Sequence, residues 1–168
     1  ADAFCDLLDR TVRDTFTTDY WEITLPNRLD TSSPKSPPLS AYWAALNILG
    51  AEVLLSDLKV SEMLDPVVTP QKDMERHHLF PRSYLKSIGI KGLPRVNAIA
   101  NMAFVDWTDN LAISNGAPAT YWPALTQSMD DKRLGKQMYW HALPRGWDQL
   151  EYDEFLAKRR RRIATVVR

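Results

Sequence analysis

The sequence predicts an α+β fold, mainly α-helical, with one small strand–loop–strand–helix unit set into it. Three observations lead there. Apolar residues recur at helical spacing along most of the chain. Eleven prolines against six glycines separate those runs by defined turns. Only two stretches within the insert, 74–80 and 102–105, read as strands. With 168 residues and 45% hydrophobic content, the chain is long and apolar enough for one packed domain and is not a disordered one.

Taken in order, Phe4, Leu7, Leu8 and Val12 mark an amphipathic helix over 3–15. Tyr20, Trp21, Ile23 and Leu25 form a short apolar patch, a strand or an extended packing arm. Residues 29–38 are a loop by composition. Ser40 reads as the N-cap of a helix from 41 to about 55, apolar nearly all round and so expected at the centre of the core. A short helix over 60–64 ends at Asp65-Pro66. The first strand, 74–80, is followed by a loop at 89–94, the second strand, and a helix over 106–114. Pro118 suits the first turn of a helix carrying Tyr121, Trp122 and Leu125. A further helix runs from 130 to about 141, closed by Leu143-Pro144-Arg145-Gly146-Trp147. The last spans 152–167, with Phe155, Leu156, Ile163 and Val166 on its inner face. The organisation is thus a helical part (1–70), the insert (71–116) and a helical part with a basic last helix (117–168).

The formal net charge is zero, yet the two signs are segregated. Residues 1–75 carry 6 Lys/Arg and 13 Asp/Glu, a net of −7; residues 76–168 carry 15 and 8, a net of +7. A basic half suits a polyanionic partner, although the two halves can also simply pack together. No apolar run reaches membrane-spanning length, and no signal peptide is visible. The single cysteine, Cys5, excludes an internal disulfide and fits a reducing cytoplasm. The chain starts without Met, directly in a helical pattern, and reads as a fragment of a longer protein.

The sign changes at Glu75-Arg76-His77-His78-Leu79-Phe80-Pro81-Arg82, with Asn101 and Asn110 downstream. Adjacent residues of a strand point to opposite faces, so one histidine can hold a metal while the other meets a water. Cutting a phosphodiester needs a base, a cation and a scaffold holding both. His78 is the candidate base, because histidine titrates near working pH. His77 and Asn110 are candidate ligands for one divalent cation, and Asn101 a candidate to pin the loop through backbone hydrogen bonds. Arg76 and Arg82 either contact phosphate or solvate the strand edge. The run 158–162, with Arg159, Arg160 and Arg162, is a solvated helix face by default and a DNA-backbone contact otherwise. His141 reads as a helix-end residue. A bare His-His pair is a weak signal; its strength comes from Pro81 and the two asparagines at their spacing.

Those residues resemble the HNH signature, the ββα-metal or His-Me finger of endonucleases. The resemblance implies His77 and Asn110 as metal ligands, His78 as base and Asn101 as structural. It extends to Asn97-Ala98-Ile99-Ala100-Asn101, to Pro118-Ala119-Thr120-Tyr121, to Leu143-Pro144-Arg145-Gly146-Trp147, and to Tyr152-Asp153-Glu154-Phe155-Leu156-Ala157-Lys158-Arg159-Arg160. There it is similar to the C-terminal nuclease domain of GmrSD-like and SspE-like phage-restriction proteins, over roughly residues 40–168. That implies a nicking DNA endonuclease, in one system phosphorothioate-dependent, joined to an N-terminal ParB-like nucleotidase domain. His77 stands where many such sites carry Asp, which leaves Mn²⁺ beside Mg²⁺ as the cation. The lysine often found after the final ligand is replaced by Leu111, and no Cys pair supplies a structural zinc site. A non-catalytic DNA-binding module and an RNA-cleaving toxin-type nuclease remain as alternatives.

Overall fold

Prolines and caps set most helix boundaries in the computed structural model, which describes residues 2–64, 76–105 and 116–168. The first half holds α1 (Asp2–Thr15), a π-helical turn (Tyr20–Thr24), α2 (Leu25–Arg28), α3 (Pro37–Ile48) and α4 (Val60–Leu64). The insert holds β1 (Arg76–His78), α5 (Arg82–Ser87), α6 (Leu93–Val96), a 3₁₀ turn (Ile99–Asn101) and β2 (Met102–Phe104). The last part holds α7 (Pro118–Thr126), α8 (Asp131–Trp140), a second 3₁₀ turn (Trp147–Gln149) and α9 (Tyr152–Val167). The fold is therefore α+β and mostly helical, with one two-stranded antiparallel sheet among the described residues. None of the described helices is long and apolar enough to cross a membrane.

Three expectations need correction. The patch at 20–25 is neither strand nor extended arm but a π-helical turn running into α2. Helix α3 starts at Pro37, with Ser36 as an extended N-cap, because the Pro37-Pro38 pair already has the φ of a first helical turn. It stops at Ile48, since Gly50 takes a left-handed φ of 61° and turns the chain. It buries only Leu39, Tyr42 and Leu46, and Ile48 is 86% exposed, so this is a one-sided helix. Helix α1 forms where its periodicity places it, but it buries nothing: Phe4, Leu7, Leu8 and Val12 all face solvent.

In the sheet, His77 pairs with Ala103 and His78 with Met102. Residues 51–59 run alongside, and Leu54 N–H donates to Phe104 O at 3.0 Å. The expected helix over 106–114 lies outside the described residues, as do Glu75 and Trp107.

Helix α9 spans two apolar cores. Its Phe155 and Leu156 pack with Phe80, Trp122 and Trp147, the Phe80 and Phe155 ring centres being 4.8 Å apart. Its Ile163, Ala164 and Val166 pack with Leu25, Leu46, Val53 and Phe104. Between them lies Arg159, fully buried, donating from Nε to His141 O (3.1 Å) and from Nη1 to Ala100 O (2.8 Å). His141, the C-cap of α8, is buried too and donates from Nε2 to Glu52 O at 2.9 Å. Gln137, one turn earlier, accepts from Leu55 N–H and donates to Val53 O, tying α8 to the same segment.

Burial pushes the His141 imidazole down to about 4; the bond to Glu52 opposes the shift and the Arg159 cation adds to it. The folded state thus holds it neutral, while the unfolded chain takes up a proton below pH 6.5. This contribution to stability is complete above pH 6.5 and is lost as pH falls towards 4. It should cost wild type about 2 kcal/mol between pH 7.5 and 5. Urea unfolding at both pH values should show that loss reduced in His141→Gln; equal losses would contradict the assignment.

Candidate active site

The two histidines of β1 differ in surroundings. His77 is half-buried, and its Nε2 is out of contact with water with no hydrogen-bond partner among the described residues. Burial, helped by His78, holds its ring well below the usual histidine range, at about 4, so the ring is neutral and one of its two nitrogens carries a lone pair. His78, the last residue of the strand, has Nε2 3.0 Å from Asn97 Oδ1. Its pKa is lowered mainly by burial; the bond to Asn97 opposes this and the Arg82 charge reinforces it. Both rings are therefore neutral at neutral pH.

Pro81 follows as the N-cap of α5 and ends the extended run. Arg82 is exposed, and its Nη2 donates to the same Asn97 Oδ1 at 3.1 Å. The loop then returns through α6 to Asn101, which is completely buried. Asn101 Oδ1 accepts from Phe80 N–H (2.8 Å), and its Nδ2 donates to Phe80 O and Val96 O (3.1 Å each). Its own carbonyl accepts from Leu79 N–H at 2.8 Å. Tyr121 of α7 donates its hydroxyl to Leu79 O at 2.5 Å. Both residues after His78 are thus held at both of their backbone polar groups.

The Nε2 of His77 fits a metal ligand when the proton sits on Nδ1: it is a buried nitrogen of a neutral imidazole with no partner among the described residues. Asn110, the expected second ligand, lies outside the described residues. Among those described, no three His, Cys, Asp or Glu side chains gather around a common point. Of Arg76 only the backbone is described, at the start of β1 opposite Phe104.

The expected DNA contacts on α9 are redistributed. Arg159 cannot touch DNA, because its guanidinium is buried against two backbone carbonyls. Arg160 is 19% exposed and paired with Asp30 at 2.7 Å. Arg162 is exposed as expected, and Arg161 beside it is exposed as well. Sequence reasoning gave no role to Asn97; its signal was a polar residue just past Leu93-Pro94-Arg95-Val96, where a helix C-cap belongs. No family model, curated protein or solved structure matches this chain.

Replacing Asn101 by Ala strands one buried N–H and two buried carbonyls. The expected cost is at least about 3 kcal/mol, at about 1–3 kcal/mol for each of the three groups left unpaired. Asn101→Asp, which cannot donate to the two carbonyls, should be no better. A urea midpoint for Asn101→Ala equal to wild type would show that this side chain does not fasten the loop.

Proposed function

We propose that this chain is a divalent-cation-dependent DNA endonuclease of the HNH, ββα-metal type, acting in the cytoplasm within an antiphage restriction system. The observation that carries the reading is the unlike pair on β1. His77 has a buried Nε2 without a partner among the described residues, and its neighbour His78 is a neutral imidazole held by Asn97. A loop fastened by Asn101 supports both.

In this reading His78 takes the proton of the attacking water. His77 and Asn110 would hold one Mg²⁺ or Mn²⁺. Such a cation, when bound, stabilises charge on the phosphate and the leaving oxygen. Arg82 spends one nitrogen on Asn97 and keeps exposed donors for a phosphate oxygen. Arg161 and Arg162 supply backbone attraction without sequence readout. One such site cuts one strand, so a nick is the product of a single chain. Nucleotide hydrolysis and sensing of DNA modification would belong to a ParB-like nucleotidase domain of the same protein.

Supercoiled plasmid incubated with Mg²⁺ or Mn²⁺ should convert to open circle, and EDTA should stop it. His78→Ala should slow the reaction by about 10²–10⁴, the usual contribution of a general base. Asn110→Ala should also be impaired. No cleavage with either cation, while DNA binding persists, would sink the enzyme reading in favour of a binding module. Cleavage of RNA but not of plasmid would sink the DNA assignment.

The burial pattern makes a separate prediction about binding. The Arg161→Ala/Arg162→Ala double variant should flatten the slope of log affinity against log salt by about 2, each lost phosphate contact removing about 0.9 on duplex DNA. Fluorescence anisotropy with a labelled duplex measures this, and an unchanged slope would place DNA elsewhere on the surface.

A further inference from the structure

We infer that Arg82, acting through Asn97, locks His78 in the Nε2–H tautomer and leaves Nδ1 as the nitrogen that accepts a proton; the catalytic half of this inference rests on the nuclease reading above. The argument is one of donor and acceptor inventory. A guanidinium can only donate. The Asn97 atom 3.1 Å from Arg82 Nη2 must therefore be the amide oxygen, and the opposite orientation would set NH₂ against NH₂. His78 Nε2 lies 3.0 Å from that same oxygen, so it too must donate. A neutral imidazole has one N–H, which leaves the lone pair on Nδ1.

The acceptor is itself held in place. Asn97 caps α6, and its N–H donates to Leu93 O at 2.8 Å. The helix is entered through Gly92 at a φ of 99°, a conformation open to glycine alone at low cost. Arg95 pairs with Asp153, and Tyr152 donates its hydroxyl to Arg95 O at 2.8 Å, so α6 is tied to α9. The carbonyl just before Asn97, that of Val96, is one of the two that Asn101 holds. Asn97 is thus a positioning residue: it touches the base and not the reacting atoms.

The test is tautomer-resolving ¹⁵N NMR on the ¹⁵N-histidine-labelled 168-residue chain at pH 8. Only three histidines need assigning: His77, His78 and His141. Wild type should show a protonated Nε2 and an unprotonated Nδ1 at His78. Asn97→Asp, an acceptor only, should keep that pattern. Asn97→Leu removes the acceptor, and the exposed Arg82→Met frees the amide to rotate; both should give a mixture. Nδ1–H in wild type would overturn the inference, as would an unchanged pattern in both Asn97→Leu and Arg82→Met. In plasmid nicking, Asn97→Leu should lower kcat by about 10–100-fold with KM held, the range for loss of an outer partner of a reactive group, and Asn97→Asp should restore most of it. Wild-type kcat in Asn97→Leu would remove its role in positioning the base. A wild-type chain that has the Nε2–H tautomer but cuts no plasmid would take away the nuclease reading while supporting the lock.

Discussion

Everything at the candidate site hangs on one buried amide. Three residue pairs between β1 and β2 cannot hold a sheet together in water. Asn101 supplies what the ladder lacks. Its side chain grips Phe80 at both backbone groups and Val96 at its carbonyl. This one residue thereby sets where the chain leaves β1, where Phe80 enters the aromatic core beside Phe155, and where α6 delivers Asn97 to His78. Each bond contributes only about 1 kcal/mol net, but an unmade one in this dry position costs more. The closure is therefore all-or-none in character: a loop that lost one of the three bonds would expose the others to water.

Arg159 makes the same kind of closure on the far side of the insert. Its two hydrogen bonds join the Ala100 carbonyl, one residue before Asn101, to the C-terminal end of α8. Its Nη2 has no hydrogen-bond partner among the described residues, and the residue lines, with Tyr42 and His141, a cavity of about 20 Å³. A buried guanidinium without a carboxylate gains less than an ion pair would, and burial lowers its pKa. What it provides is reach: a core of aliphatic side chains could fill that space but could not bond two carbonyls from different elements at once.

Where periodicity or a cap alone decides an element, the sequence could be read correctly. Helix α9 matches residue for residue, and α8 begins at the cap where Asp130 accepts from Arg133 N–H. Two short strands around the histidines were legible as extended patterns at 74–80 and 102–105, although β1 ends at His78 and β2 at Phe104. Errors arose where two signals competed. Ser40 reads as a cap when 29–38 reads as loop, but Pro37-Pro38 form the first turn and make Ser36 the N-cap. Arg159 reads as a surface residue from its place in a run of five cations. Helical spacing says otherwise: 155, 159 and 163 share one face, and the outer two are core residues. The outward apolar face of α1 is the converse case, a correct period with no inner partner among the described residues.

The two histidines show how a single dipeptide can acquire two chemistries. Both rings are kept neutral chiefly by burial, so neither difference in burial nor difference in charge separates them. What separates them is the fate of Nε2. On His77 it has no partner among the described residues; on His78 it is engaged by an oxygen that also receives a guanidinium. Strand geometry makes that divergence unavoidable, since consecutive side chains leave opposite faces and meet different neighbours. A helix would have set the two rings 100° apart, both on its outer surface. In the proposed reading this is why the pair sits on a strand, however short: a ligand and a base must not compete for the same contacts. The strand supplies the divergence, and the amide-fastened loop supplies the rigidity that three ladder pairs cannot.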